Sequence, residues 1–153
     1  MTSGGHVGTI LISKMGRSTI HVSTPFSAAS LFFAALPTGT REERVFVLPL
    51  DENGKVLAEP ILVSVGHEDG TAQIDAGTIF REALKAGAEE IIVAHNHPSG
   101  DLTPSKADIA VTAKLREAAT LLGVPLIDHL IIGKAGAGAG GQPAFLSLAE
   151  SGA

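Results

Sequence analysis

Residues 90–122 read EIIVAHNHPSGDLTPSKADIAVTAKLREAATLL, and the architecture of the chain follows from them. Glu90 to Ala94 is short, apolar and β-branched, the pattern of a buried strand that runs straight into His95. Pro98-Ser99-Gly100 then turns the chain. Thr103 to Leu122 has helical periodicity, with Thr103 as a capping hydroxyl, Pro104 at the first helical position and Gly123 after the end. The unit is therefore strand, tight turn, helix, and a further strand over Leu126 to Gly133 follows it.

Outward from this unit the chain alternates irregularly. Thr9 to Ser13 and Thr19 to Val22 suggest short strands around a turn at Gly16. Ser23-Thr24-Pro25 starts a helix over Phe26 to Leu36, which ends before Pro37. Arg44 to Leu50 is a strand, Asp51-Glu52-Asn53-Gly54 is a hairpin turn, and Lys55 to Val65 is the returning strand. Pro49 and Pro60 indicate bulges or an edge position for these two. Asp75 to Ala86 is an amphipathic helix carrying Ile79, Phe80 and Leu84, with Gly87 near its end. Ala144 to Leu148 closes the series as a short strand. The fold class that follows is α/β with mixed α+β layers, a partly antiparallel sheet flanked by helices.

The chain's 153 residues suit a single domain with a real core. Residues 1–7 are Gly-rich and expected to be disordered, and 135–142 form a flexible Gly/Ala loop. Aromatic residues are 4% of the whole against 44% hydrophobic, so Val, Ile, Leu and Ala carry the packing. The absence of cysteine excludes disulfides and cysteinyl metal sites. A net charge of −5 without a Lys/Arg run does not favour nucleic acid as a partner. No apolar stretch approaches the ~20 residues of a membrane span, and the opening residues lack a secretory pattern. The expected setting is the cytoplasm, with no membrane partner. Nothing in the chain indicates its oligomeric state.

The chemistry lies in His95, His97, Ser105 and Asp108. Strand alternation points His95 and His97 the same way and Asn96 the other. Ser105 and Asp108 are three apart near a helix start, so they share a face, and the helix N-terminus keeps Asp108 ionised. Each residue has a plainer reading: surface histidines are common, and Ser105 and Asp108 suit any helix N-terminus. Taken together, two imidazoles and a carboxylate match a catalytic zinc site with its fourth position open. Such a site needs a general base. Nothing beside the histidines supplies one, and Glu42 and Glu43 at the start of the Arg44 strand are the candidates.

The spacing from His95 and His97 through Ser105 to Asp108 resembles the JAMM/MPN metalloproteases, whose domain is also called JAB. HNHPSGDLTPSKADIAVTAKL, LLGVPLIDHLIIG, FREALKAGAEEIIVAHNHPSG and REERVFVLPLDENGKVL resemble its bacterial RadC-like subfamily, with a weaker echo in FLSLAESG. The resemblance implies a central mixed sheet flanked by helices and the hydrolysis of a peptide or isopeptide bond. It implies zinc on His95, His97 and Asp108, Glu43 as the proton-transferring base, with Glu42 the lesser choice, and Ser105 as an oxyanion donor. The substrate would be a peptide or protein, including one carrying a conjugated small modifier protein. The RadC association also implies a DNA-linked accessory role, and a non-catalytic metal-binding module is a further reading. Two departures stand out. Residues 1–40 do not look like the helix-hairpin-helix region of full-length RadC proteins, and Asp75-Ala76-Gly77-Thr78 replaces a usual His-Pro-Arg-Glu. A zinc deaminase is excluded because its cysteines are missing. Asp128-His129 also matches the family pattern and reads as a strand pair hydrogen-bonded in the core. His6, His21 and His67 carry no motif.

Overall fold

The centre of the molecule is a strand that water does not reach on either face. In the computed structural model, which describes residues 19–66, 74–134 and 144–151, this is β3, Glu90–Asn96. Around it run α1 (Pro25–Ala35), β1 (Arg44–Leu50), β2 (Ile61–Val65), α2 (Ala76–Lys85), α3 (Lys106–Leu122), β4 (Leu126–Ile132) and β5 (Phe145–Ser147). They form one five-stranded sheet in the order β2-β1-β3-β4-β5. β3 and β4 are parallel, joined by α3 as a crossover, and every other pair is antiparallel. The fold is a mixed α/β sandwich.

Alternation along the strands builds two cores. Val45, Val47, Ile91 and Val93 face α2 and α3, where they meet Ile79, Phe80 and Leu115. Phe46, Leu48, Leu50, Ile92, Ala94, Leu130 and Ile132 face α1 and meet Ala28, Ala29 and Phe32. The Phe32 and Phe46 rings lie 6.3 Å apart at 52°, a tilted pair worth about 1 kcal/mol beyond its buried area.

β4 changes face part-way along. Ile91 pairs with Leu126 but Ile92 pairs with Asp128, so β4 carries one extra residue, Ile127, between those pairings. From there Val93 is opposite His129. The bulge moves His129 onto the α3 side of the sheet, the side that also holds Val93 and His95.

Several elements differ from the sequence reading. Thr19 to Val22 is no strand: His21 makes one isolated bridge to Lys55, and the segment lies along the hairpin through Val22 N–H to the Gly54 carbonyl at 2.9 Å. The returning strand is Ile61–Val65 alone. Lys55 and Val56 make only isolated bridges before the chain leaves the ladder ahead of Pro60. β2 is an edge strand, and the β1–β2 register shifts between Val45 and Phe46. Pro49, by contrast, lies in an interior strand. In the hairpin turn only Gly54 has positive φ, at +83°, and Asn53 does not. The Asp51 carboxylate accepts from the Asn53 and Lys55 N–H groups, so the turn is built on Asp51 and Gly54.

α3 begins two residues later than its Pro104 suggested. Ser105 is the N-cap, its Oγ accepts from Asp108 N–H at 3.0 Å, and the Asp108 carboxylate accepts from Ser105 N–H at 2.8 Å. This reciprocal capping box satisfies two end donors at once and outcompetes Thr103. β3 continues through His95 and Asn96, and β4 and β5 are each slightly shorter than expected. Gly123 ends α3 at φ +70°, as its position predicted. The expectations for Thr9 to Ser13, Gly16, residues 1–7 and residues 135–142 lie outside the described residues.

Candidate metal centre

The site forms at the carboxyl end of β3, where the first turn of α3 meets the strand. His95 is the penultimate residue of β3 and 1% exposed. His97 follows the strand, anchored by its N–H to the Ile132 carbonyl at 2.9 Å. Gly100, at φ +89°, allows a tight turn closed by Gly100 N–H on the His97 carbonyl. The turn brings the Asp101 carbonyl to 2.7 Å from His97 Nδ1. A carbonyl only accepts, so Nδ1 carries the hydrogen, and in the neutral ring the Nε2 lone pair faces the site.

His95 Nε2 and His97 Nε2 are 3.2 Å apart. Asp108 reaches both rings, with Oδ1 3.1 Å from His95 Nε2 and Oδ2 3.2 Å from His97 Nε2. Glu43 approaches the same pair: one ligand atom from each of Glu43, His95 and His97 lies within 4.8 Å of the other two. The two carboxylates differ in setting. Asp108 is buried and held by the Ser105 N–H, whereas Glu43 is half-buried just ahead of β1.

The electrostatics are those of anionic and imidazole donors crowded on one point. Burial by itself would raise the Asp108 carboxyl, but hydrogen bonds from His95, His97 and the Ser105 N–H outweigh it and hold Asp108 far below the usual carboxylate range. The Asp108 hydrogen bond raises His97 against the opposing effect of its burial, with help from the Asp101 carbonyl and the charge of Glu43. Two imidazole nitrogens and a carboxylate oxygen converging on one point suit a cation of zinc type, which would displace the hydrogens they share. The residues present fit such an ion.

Ser105 and Asp108 both serve the capping box, and the Asp108 carboxylate also reaches the histidine pair. The Ser105 Oγ accepts in the cap, which does not use its hydroxyl hydrogen. Glu42 takes a different course: Oε1 pairs with Arg44 at 3.3 Å, and its backbone carbonyl accepts from Asn96.

Three contributors escaped the sequence reading. Asn96 points to the α1 side, where Oδ1 accepts from Arg44 N–H at 2.7 Å and Nδ2 donates to the Glu42 carbonyl at 3.1 Å. It grips the backbone on both sides of Glu43. His129, fully buried, lies with Nε2 2.9 Å from His95 Nδ1 and Nδ1 2.7 Å from Thr112 Oγ1. Burial, then the neighbouring His95, depresses His129 to about 3. The core reading of Asp128-His129 was thus incomplete, because His129 also touches a site residue. Thr112 is four residues after Asp108, a helical spacing that was a usable signal. Asp128 ties β4 to the chain end, accepting from Ser147 Oγ at 2.6 Å and Ala149 N–H at 3.1 Å.

A cleft of about 600 Å³ adjoins the centre, with His97 and Pro98 at one side, Phe33 and Leu36 at another, and Arg41 and Lys134 bringing positive charge. Among the described residues, no helix is long and apolar enough to cross a membrane.

Comparison with known proteins supplies the family. The family model described as the RadC-like JAB domain matches residues 22–152. A UPF0758 protein of Carboxydothermus hydrogenoformans is 46% identical over 94 residues, covering 61% of this chain and 41% of the relative. One from Clostridium perfringens is 39% identical over 114 residues, 74% of this chain and 49% of the relative. One from Staphylococcus carnosus is 34% identical over 133 residues, 87% of this chain and 54% of the relative. The chain spans about half the length of the curated relatives it matches. With the domain model covering the sheet, its flanking helices and the histidine corner alike, the chain belongs to the RadC-like JAB domain family.

Proposed function

We propose that the chain is a zinc-dependent hydrolase of the JAMM type that cleaves a peptide or isopeptide bond in a peptide or protein substrate. The observation that carries this reading is the convergence of His95 Nε2, His97 Nε2 and the Asp108 carboxylate at 3.1–3.2 Å, with Glu43 as a second carboxylate on the same imidazole pair. His95, His97 and Asp108 would hold the ion. When bound, zinc supplies Lewis acidity that polarises a carbonyl and acidifies water.

The chain's own residues do the rest. Glu43 takes the proton of the attacking water and returns it to the leaving nitrogen. Asn96 holds the backbone to either side of Glu43, which limits where that carboxylate can go. The Ser105 hydroxyl, with its hydrogen unused by the helix cap, donates to the oxyanion that develops on the substrate. The cleft beside His97 gives the substrate an approach with an apolar wall and two cationic side chains.

The test is a metal-loaded wild type against Glu43→Gln on peptide and isopeptide substrates, with duplex and single-stranded DNA in the same panel. Cleavage by wild type and its loss in Glu43→Gln, at unchanged metal content, supports the reading. Salt-dependent DNA binding without cleavage would favour the accessory role instead.

A further inference from the structure

We infer that the cleft beside His97 is a subsite for an acidic side chain of a peptide substrate, with Arg41 and Lys134 as the residues that select it. The inference deepens the hydrolase reading and rests on it for what lies at the metal, but its test needs no turnover.

Sheet register brings both cations to the metal corner. Val45 of β1 pairs with His95, so the chain entering β1 passes the end of β3, and Arg41 lies on that entry. Ile132 of β4 pairs with Asn96, so the chain leaving β4 passes the same end, and Lys134 lies on that exit. β1 and β4 are the two neighbours of β3, so the cations come from its two flanks and border one cleft with His97. Lys134 is held there by its stem. A Cβ at Gly100 would meet its Cδ, Cγ and Cε at 3.2, 3.3 and 3.4 Å, so the aliphatic part lies on the turn that follows His97, while the residue as a whole stays exposed.

The charge of this cleft runs against that of the chain. The chain has 16 acidic residues against 11 basic ones, yet two cations and no carboxylate line the cleft. Glu42, next to Arg41, is paired with Arg44 instead. Among the described residues neither Arg41 nor Lys134 has an acid partner, whereas Arg44 and Lys85 each have one. Cations left unmatched beside a reactive centre attract an anion from outside and reject a cation. With a peptide bond at the metal, that anion is a carboxylate of the same substrate chain. Arg41 and Lys134 stand on separate flanks and both are exposed, an arrangement that a chain can pass through, so the carboxylate is that of a Glu or Asp side chain and not of a chain end. Phe33 and Leu36 offer an apolar wall to its neighbour in the substrate.

The test is an array of octapeptides with capped ends, in which one position at a time is fixed as Glu, Gln or Lys and the others are randomised, probed with the labelled full chain at low and high salt. Wild type should retain Glu peptides about 3–10-fold better than their Gln counterparts at one position or more, the combined effect of two exposed ion pairs, and should lose most of that preference in high salt. The double variant Arg41→Gln with Lys134→Gln should bind the Gln peptides as wild type does and show no preference for Glu. Exchanging the cations, Arg41→Lys with Lys134→Arg, should keep most of it. Both positions are exposed, so these variants should unfold at the wild-type temperature. No preference for Glu, a preference that survives in the Gln double variant, or no retained peptide at all overturns the subsite. So does a preference that appears only for free C-termini in a parallel array, or DNA binding that needs the same two side chains while the peptides show no selection. A chain that selects Glu through Arg41 and Lys134 but cleaves nothing would sink the hydrolase reading alone, and cleavage without that selection would sink the subsite alone.

Discussion

His95 and Asn96 are neighbours on one strand, buried to 1% and 3% exposure, and they do opposite kinds of work. Asn96 faces the α1 side and spends both ends of its amide on main chain, receiving Arg44 N–H and donating to the Glu42 carbonyl. His95 faces the α3 side, where one nitrogen meets His129 and the other meets Asp108 and His97. A polar group that satisfies itself on backbone is structure; a buried ring nitrogen set against a carboxylate and a second imidazole is poised for chemistry. The pleat decides which residue does which, because successive side chains take opposite faces.

The sharpest way to break this contrast is to remove the open side. His95→Ala or Asp108→Ala should take metal content from about one zinc per chain to near zero by elemental analysis, since a three-ligand site tolerates no such loss. Retained stoichiometric zinc in both would refute the assignment. Glu43→Gln should keep the zinc and lose about 10²–10⁴-fold in kcat on whichever substrate the panel identifies. Equal losses of metal and rate would instead make Glu43 a ligand.

Removing the closed side should act on stability first. Asn96→Ala leaves the Arg44 N–H and the Glu42 carbonyl without their partner, and denaturant unfolding should show a loss of about 1–3 kcal/mol. Its zinc affinity should stay near wild type, because the amide faces away from the imidazoles. A loss of zinc comparable to that of His95→Ala would erase the distinction between the two faces.

Acid offers a subtler probe in the metal-free protein. The unfolded chain protonates His129 below its ordinary value near 6.5, but the folded chain resists until about 3. Between those values the unfolded state binds more protons, so stability falls as pH drops, by an amount on the order of a few kcal/mol. Asp108 adds in the same direction at lower pH, its contribution being lost as pH falls through its depressed folded value. His97 acts oppositely: its raised folded value stabilises at low pH, and that contribution is lost as pH rises through it. Urea midpoints from pH 7 to 3 should therefore fall less steeply in His129→Gln than in wild type. Parallel slopes would mean that His129 is not held neutral in the fold.

The smallest effect concerns the hairpin. A Cβ on Gly54 would meet the Val22 carbonyl oxygen at 2.8 Å, and φ is +83°. Gly54→Ala should lower the thermal midpoint by several degrees, about 1–2 kcal/mol, without changing zinc affinity.

Much of this was legible from local pattern. β1 matched its expected limits, and the strand–turn–helix unit that carries the histidines was recognisable from apolar runs, Pro98-Ser99-Gly100 and Gly123. The exact start of α3 was less so, since Thr103 and Ser105 are both good caps and only the reciprocal bond with Asp108 separates them. The returning strand was overread because apolar Val56, Leu57 and Ala58 precede Ile61, while the ladder resumes only at Ile61.

That two imidazoles and a carboxylate leave one strand end and one helix start could be read from the residues alone, because spacing and alternation act within a few residues. What stands behind them came from the packing of distant segments. Ile127 as an extra residue in β4 turned His129 onto the α3 side of the sheet, and His129 then met His95 from 34 residues away. Asn96 reached across 52 and 54 residues to grip the chain around Glu43. Such contacts depend on sheet register, a property of paired strands that neither strand carries alone.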